Sequence, residues 1–192
     1  MTKSILLVGV GGQGTITAAK LLTTGLMEAG YDVKMSEIHG MSQRGGSVSS
    51  HVRYSETGKV NSPVIGPRGA DIMVSFEQME ALRWVDAIKP EGAIVTSTEQ
   101  IAGLPVLTGR MAYPEDILGE LNKAAKTVLS IDAPAEAAKL GNSKVTNVIL
   151  LGTIVKYMGL EQIDWDKIIR ENVKPAFVEL NLKALALGKS LI

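Results

Sequence analysis

Short aliphatic runs alternate along the chain with segments whose apolar residues recur every three or four positions. Residues 4–8 (SILLV) form an unbroken run ending at Gly9, the pattern of a strand buried on both faces. Ala18, Leu21, Leu22, Leu26 and Ala29 then fall at helical spacing, and Gly30 is placed to stop that helix. Residues 31–37 can return as a second strand, which makes an opening βαβ unit of a doubly wound sheet.

The rhythm breaks after this unit. Residues 38–46 (IHGMSQRGG) are polar and glycine-bearing, hence a loop. Residues 47–54 alternate Val48 and Val52 with polar positions, as in a strand with one wet face. Glu56, Thr57 and Gly58 can turn that strand into an inserted hairpin through Lys59 and Val60. Residues 61–69 carry two prolines and two glycines and read as an irregular connector. Parallel α/β alternation then resumes: a strand over 71–76, a helix over 77–88, a strand over 93–96 and an edge strand over 104–107. A helix opened by Pro114 reaches Ala125, followed by a strand over 127–131. Residues 145–157 form an apolar helix, either buried or at a subunit seam, with Gly152 allowing close packing. A last helical segment starts at an Asp164 cap and breaks at Pro175. The expected fold is α/β, a Rossmann-like and mostly parallel sheet with helices on both faces, forming a single domain over residues 1–192.

Composition narrows the chemistry. The 192 residues contain no cysteine, so thiolate-held iron–sulfur clusters, disulfides, Cys-based zinc sites and a Cys nucleophile are excluded from this chain. Twenty basic and twenty acidic residues cancel, which removes any general attraction to nucleic acid or an anionic membrane. Only eight aromatic residues leave few rings for base stacking. No stretch approaches the ~18 apolar residues of a membrane span, and nothing near Lys3 reads as a signal peptide. A cytoplasmic protein is expected.

Two segments carry candidate chemistry. Gly9, Gly11 and Gly14 satisfy G-x-G-x-x-G between a strand and a helix, with Gly12 and Gln13 inside the turn. Glycines there permit a tight turn and close approach of a ligand, and the following helix N-terminus favours an anion. The same glycines equally serve helix–strand packing alone. For a dinucleotide, Glu37 is the one acid available for a ribose, 28 residues after Gly9 and beyond the usual ~20. The second segment is the loop of His39, Ser42, Gln43, Arg44, Gly45 and Gly46, which gathers an imidazole, a hydroxyl, an amide and a guanidinium. Arg44 could clamp a carboxylate or phosphate. His51, mid-strand, reads as a structural or interface histidine rather than a catalytic base. Two histidines without a third spaced ligand make no metal site, and there is no P-loop or G-x-S-x-G elbow.

The run VGVGGQG (8–14) and the loop SEIHGMSQRGG (36–46) together resemble the gamma-type subunits of 2-oxoacid:ferredoxin oxidoreductases. So do Val48…His51-Val52-Arg53, Ala70-Asp71…Phe76-Glu77…Glu80-Ala81-Leu82-Arg83 and NVILLG (147–152). Within that family the small (beta) subunits of indolepyruvate-type members are most similar, and the resemblance runs from about Leu6 to Gly188. It implies a gamma-type domain that works beside a large alpha-type catalytic subunit. That partner would carry thiamine diphosphate, magnesium and 4Fe–4S clusters, with coenzyme A as co-substrate and ferredoxin reached through the complex. This chain has no Gly-Asp-Gly…Asn pattern of its own for a magnesium diphosphate. The resemblance implies no resident cofactor and no catalytic residue here, and a glycine turn and loop that face the partner. A homodimer in isolation is compatible with that role. Two other readings stand beside it: a free-standing NAD(P)-dependent oxidoreductase, and a non-catalytic nucleotide- or acyl-CoA-binding module.

Overall fold

The computed structural model describes residues 1–40 and 45–192. Its strands are β1 (Lys3–Val10), β2 (Asp32–His39), β3 (Ser47–Ser55), β4 (Ala70–Ser75), β5 (Ile88–Ser97) and β6 (Thr127–Ile131). They form one sheet in the order β2-β3-β1-β4-β5-β6. The right-hand four are parallel, while β3 runs antiparallel to both β1 and β2. The helices are α1 (Thr15–Glu28), α2 (Gln78–Arg83), α3 (Leu104–Leu107), α4 (Ile117–Ala124), α5 (Ala133–Lys139), α6 (Thr146–Tyr157), α7 (Trp165–Asn172) and α8 (Val178–Ser190).

Alternation along the central strands feeds two cores. Ile5, Leu7, Ile72, Val74 and Val95 face α1 and α5–α8, whereas Leu6, Val8, Met73 and Ile94 face α2 and α4. Helices thus cover both faces, as the aliphatic strand runs require. Helix α6 is buried over residues 147–155, all round its circumference, because it lies between the sheet and α8. The apolar segment is therefore a core helix covered within the chain. Its crossing with α8 is made by two glycines: a Cβ on Gly152 would lie 2.5 Å from the Leu185 carbonyl oxygen.

Several expectations are corrected. The second strand does not lie beside the first; β3 is inserted between them, paired residue for residue with both. The antiparallel partners of β3 are therefore β2 and β1, and Lys59 and Val60 form no strand. Nor does β3 have a wet face: Ser49, Ser50 and His51 are all buried, and the connector after the strand meets it at Ile65, whose amide bonds His51. Residues 104–107 are a helical turn, because Pro105 fits a first turn and cannot donate to a ladder. The 77–88 helix stops at Arg83 and gives way to a tight turn over Val85–Ala87, so that Ile88 already enters β5. Helix α5 was not anticipated, although Asp132 caps it by accepting from the Ala135 amide and Pro134 sits in its first turn. Asp164 caps α7 as expected, through the Lys167 amide.

Candidate functional site

The turn after β1 lies at the carboxyl edge of the parallel strands, where β1 and β4 diverge to opposite sides of the sheet. That switch point is where open α/β sheets bind ligands. Here the crevice is filled by a side chain. The Gln13 amide accepts from the Val10 backbone N–H at 2.7 Å and donates to the Phe76 carbonyl at 2.9 Å and to Glu99 at 3.0 Å. It ties the ends of β1 and β4 to the segment after β5.

The glycines divide by role. A Cβ on Gly9 would stand 2.9 Å from both the Gln13 oxygen and the Phe76 Cβ, so Gly9 makes room for that plug. Gly14 has φ +86, and a Cβ there would press the Asn147 amide of α6 at 2.8 Å. Gly12, at φ +108, has nothing near its open side and is the residue a ligand could approach. Helix α1 begins without a side-chain cap and without an acid in its first turn. Its leading amides therefore keep their partial positive charge for an incoming anion.

These amides open on a cleft of about 360 Å³ lined by the turn, Thr15, Ile16, His39 and Val48. Backbone bonds hold the base of the β2–β3 loop against the turn: Gly11 N–H donates to Gly46 at 2.8 Å, and Gly45 N–H donates to Gly11 at 3.3 Å. Gly45 takes φ +77, which side-chain-bearing residues seldom adopt. The structure thus brings Gly11, Gly12, His39, Gly45 and Gly46 to one place; Ser42, Gln43 and Arg44 lie outside the described residues. His39 is exposed, and its Nδ1 lies 3.2 Å from the Gly40 carbonyl, which can only accept. A second cleft of about 430 Å³ flanks the other side of the turn, lined by Glu99, Lys144, Thr146 and Asn147 among others.

Glu37 does not stand where a dinucleotide ribose would need it. It pairs with Ser50 of β3, two strand spacings or roughly 9–10 Å from β1. The free-standing NAD(P) reading loses its ribose contact by this insertion, whereas the amides of the turn stay open to an anion.

Sequence reasoning missed a polar node behind the loop. Glu77 is fully buried and accepts from the Glu80 and Ile101 amides at 2.9 and 3.0 Å and from the Tyr113 hydroxyl at 2.5 Å. Burial, and then the Glu77 carboxylate, push the Tyr113 hydroxyl above its usual 10, so it stays a donor. Glu80 in turn accepts from Ser47 Oγ at 2.5 Å, directly after the loop. Apart from the local Glu80 amide, these partners are 24 to 36 residues apart in sequence, and no local pattern announces them. Among the described residues, no three His, Asp or Glu side chains are grouped to hold a metal ion, and no helix is long and apolar enough to cross a membrane.

His51 is structural. Its Nδ1 accepts from the Ile65 amide at 3.1 Å, its Nε2 faces Ser49 Oγ at 3.4 Å, and Trp84 packs edge-on at 5.6 Å. Burial lowers its pKa below the usual 6.5, so the native state binds fewer protons than the unfolded chain in mild acid. Its contribution to stability is complete above pH 6.5 and declines as pH falls below it, by at most about 1.4 kcal/mol per pH unit. His51→Asn, which keeps an acceptor for Ile65, should remove that component when urea unfolding is compared at pH 7.5 and 5.5. A wild-type loss no larger than the variant's would refute the assignment.

Comparisons with known proteins identify the family. The family model described as pyruvate ferredoxin/flavodoxin oxidoreductase matches residues 4–191. An indolepyruvate oxidoreductase subunit IorB from Archaeoglobus fulgidus is 39% identical over 194 residues, covering 98% of this chain and 94% of its own. A keto/oxoacid ferredoxin oxidoreductase gamma subunit from Geobacter sulfurreducens shares the fold with a TM-score of 0.71 at 21% identity, covering 98% and 96% of the two chains. In the 2-oxoglutarate:ferredoxin oxidoreductase of Magnetococcus marinus, solved with 2-oxoglutarate, coenzyme A and succinyl-CoA, the same fold recurs with a TM-score of 0.75 at 18% identity. There 99% of this chain matches only 31% of the longer one. A family match over almost every residue, joined to a relative 39% identical over 98% of the chain, places this chain in the pyruvate ferredoxin/flavodoxin oxidoreductase family.

Proposed function

We propose that the chain is the small, cluster-free subunit of an indolepyruvate-type 2-oxoacid:ferredoxin oxidoreductase, acting in the cytoplasm. It lends the glycine turn and the His39–Gly46 loop to an active site completed by a larger subunit. The observation that carries this reading is the uncapped N-terminus of α1, which opens on a cleft walled by the base of the loop. With no cysteine, the chain has no residue to fit a thiolate-held cluster. The partner is expected to supply thiamine diphosphate, magnesium and 4Fe–4S clusters for decarboxylation of the 2-oxoacid and transfer of its electrons to ferredoxin. The acyl group passes to coenzyme A.

This chain's own work is binding and placement. Amides of the turn and of Thr15 and Ile16 receive an anionic group, a phosphate of coenzyme A or the substrate carboxylate, and His39 and Val48 wall the other side. Arg44 is proposed as the cationic contact. The names of the full-length relatives favour an arylpyruvate over other 2-oxoacids.

The test uses the chain co-expressed with its large partner. Wild-type complex should reduce ferredoxin with indolepyruvate and coenzyme A, while the isolated chain binds neither NADH nor NADPH. Ile16→Glu places a carboxylate in the first turn, where it favours the helix yet competes with an incoming anion. It should leave the melting temperature unchanged or higher and raise the KM for coenzyme A or indolepyruvate by tenfold or more. Unchanged kinetics for both substrates would sink the anion role of the cleft. Tight nicotinamide binding by the isolated chain would sink the subunit reading.

A further inference from the structure

Between β5 and α4 the chain makes a strap over residues 101–113 whose composition is unlike the rest of the surface. It contains one charged residue, Arg110, and no acid, whereas the chain as a whole is 21% charged. Leu104, Leu107 and Met111 are 72%, 71% and 64% exposed, and Pro105 is exposed beside them. Single exposed apolar residues are ordinary, but three large ones on one short segment form a patch that water disfavours.

The strap is held rather than loose. Its two ends are fastened to a single buried atom, because Oε1 of Glu77 accepts from both the Ile101 amide and the Tyr113 hydroxyl. Inside, the Arg110 and Met111 amides both donate to the Pro105 carbonyl, at 2.8 and 3.1 Å, and close it into a knob. A buried carboxylate that fixes both ends of an exposed apolar segment presents that segment in one shape. The strap also continues from the candidate site: Glu99, at its root, bonds Gln13 of the glycine turn.

We propose that the strap is the docking ridge for the large thiamine-bearing subunit, an apolar pocket with an acidic group at its rim to meet Arg110. The inference rests on the heteromeric reading above. Three observations favour that occupant over a second copy of this chain. The strap is rooted at Glu99, which lines the second cleft beside the glycine turn and bonds Gln13 there. Its full-length relatives are named as subunits. In the Magnetococcus marinus enzyme the same fold makes up only part of a longer chain.

The experiment uses the full chain co-expressed with its large subunit, with affinity measured by titrating separated components. The double variant Leu104→Asp/Leu107→Asp should fold with an unchanged melting temperature, since both side chains lie in solvent, and bind the partner at least tenfold more weakly. Met27→Asp and Val64→Asp, equally disruptive apolar-to-acid changes at exposed sites elsewhere, should bind as wild type. Binding by the double variant at wild-type affinity would overturn the ridge while leaving the subunit reading intact. The ridge would equally fall if the variant split a homodimer of the isolated chain but assembled normally with the partner. A wild-type chain that never binds the large subunit would overturn both readings.

Discussion

Gly188→Ala is expected to lower the melting temperature by roughly 6–12 °C, a loss of about 3 kcal/mol. Two effects oppose each other at this position. Gly188 lies in the last turns of α8, where alanine is the better helix former by about 1 kcal/mol. A Cβ there, however, would enter the Ile149 carbonyl oxygen of α6, lie 2.8 Å from the carbonyl carbon and lie 3.0 Å from the Gly152 Cα. None of those atoms is the end of a flexible side chain, so the strain is relieved only by separating two helices. Steric cost exceeds propensity, and the sign of the change tests it. Calorimetry on the variant, beside Gly30→Ala as a control with open space but positive φ, distinguishes a crossing effect from a general glycine effect. A stabilised Gly188→Ala would mean that the crossing is looser than described.

Glu77→Ala is expected to cost roughly 3–5 kcal/mol and to release the 101–113 strap. The carboxylate is the cap of α2, which alone amounts to about 0.5–2 kcal/mol. Its removal also leaves the Ile101 amide and the Tyr113 hydroxyl without their acceptor, at about 1–3 kcal/mol each before water relaxes the site. Glu77→Gln keeps one oxygen for those two donors but turns an N–H₂ towards the Glu80 amide, so a smaller loss of about 1–2 kcal/mol is expected. Urea unfolding measures the energies, and limited proteolysis within 101–113 reports on the strap. Equal stability of wild type and Glu77→Ala would show that the node is not a structural fastening.

What was legible in the sequence is what local pattern encodes. The β1–α1 alternation, the apolar α6, the Asp164 cap and the close approach at Gly152 all follow from spacing within one element. Strand adjacency does not. Nothing within 47–55 tells whether β3 adds to the edge or wedges between β1 and β2, because that depends on pairing with residues about 45 positions earlier. Its polar residues were misleading for a related reason: His51 is buried because Ile65, 14 residues on, satisfies it. The glycine turn was visible as a motif, yet its meaning lay in Gln13, whose partners Phe76 and Glu99 are 63 and 86 residues away. Helix α5 was within reach, since Asp132 and Pro134 are ordinary start signals.

The Gln13 plug carries a consequence for how this fold is recognised and reused. Proteins that hold a nucleotide at such a crevice gain rigidity there from the cargo. This chain closes the seam with an amide from its own backbone-proximal turn, so its edge is shaped before anything arrives. Glycine spacing alone does not reveal this: Gln13, through the strand ends it grips, closes the seam between β1 and β4 and leaves an incoming anion the open side of the turn. Shortening that side chain would reopen the seam and offer an engineered entrance for a small molecule at the joint between two polypeptides.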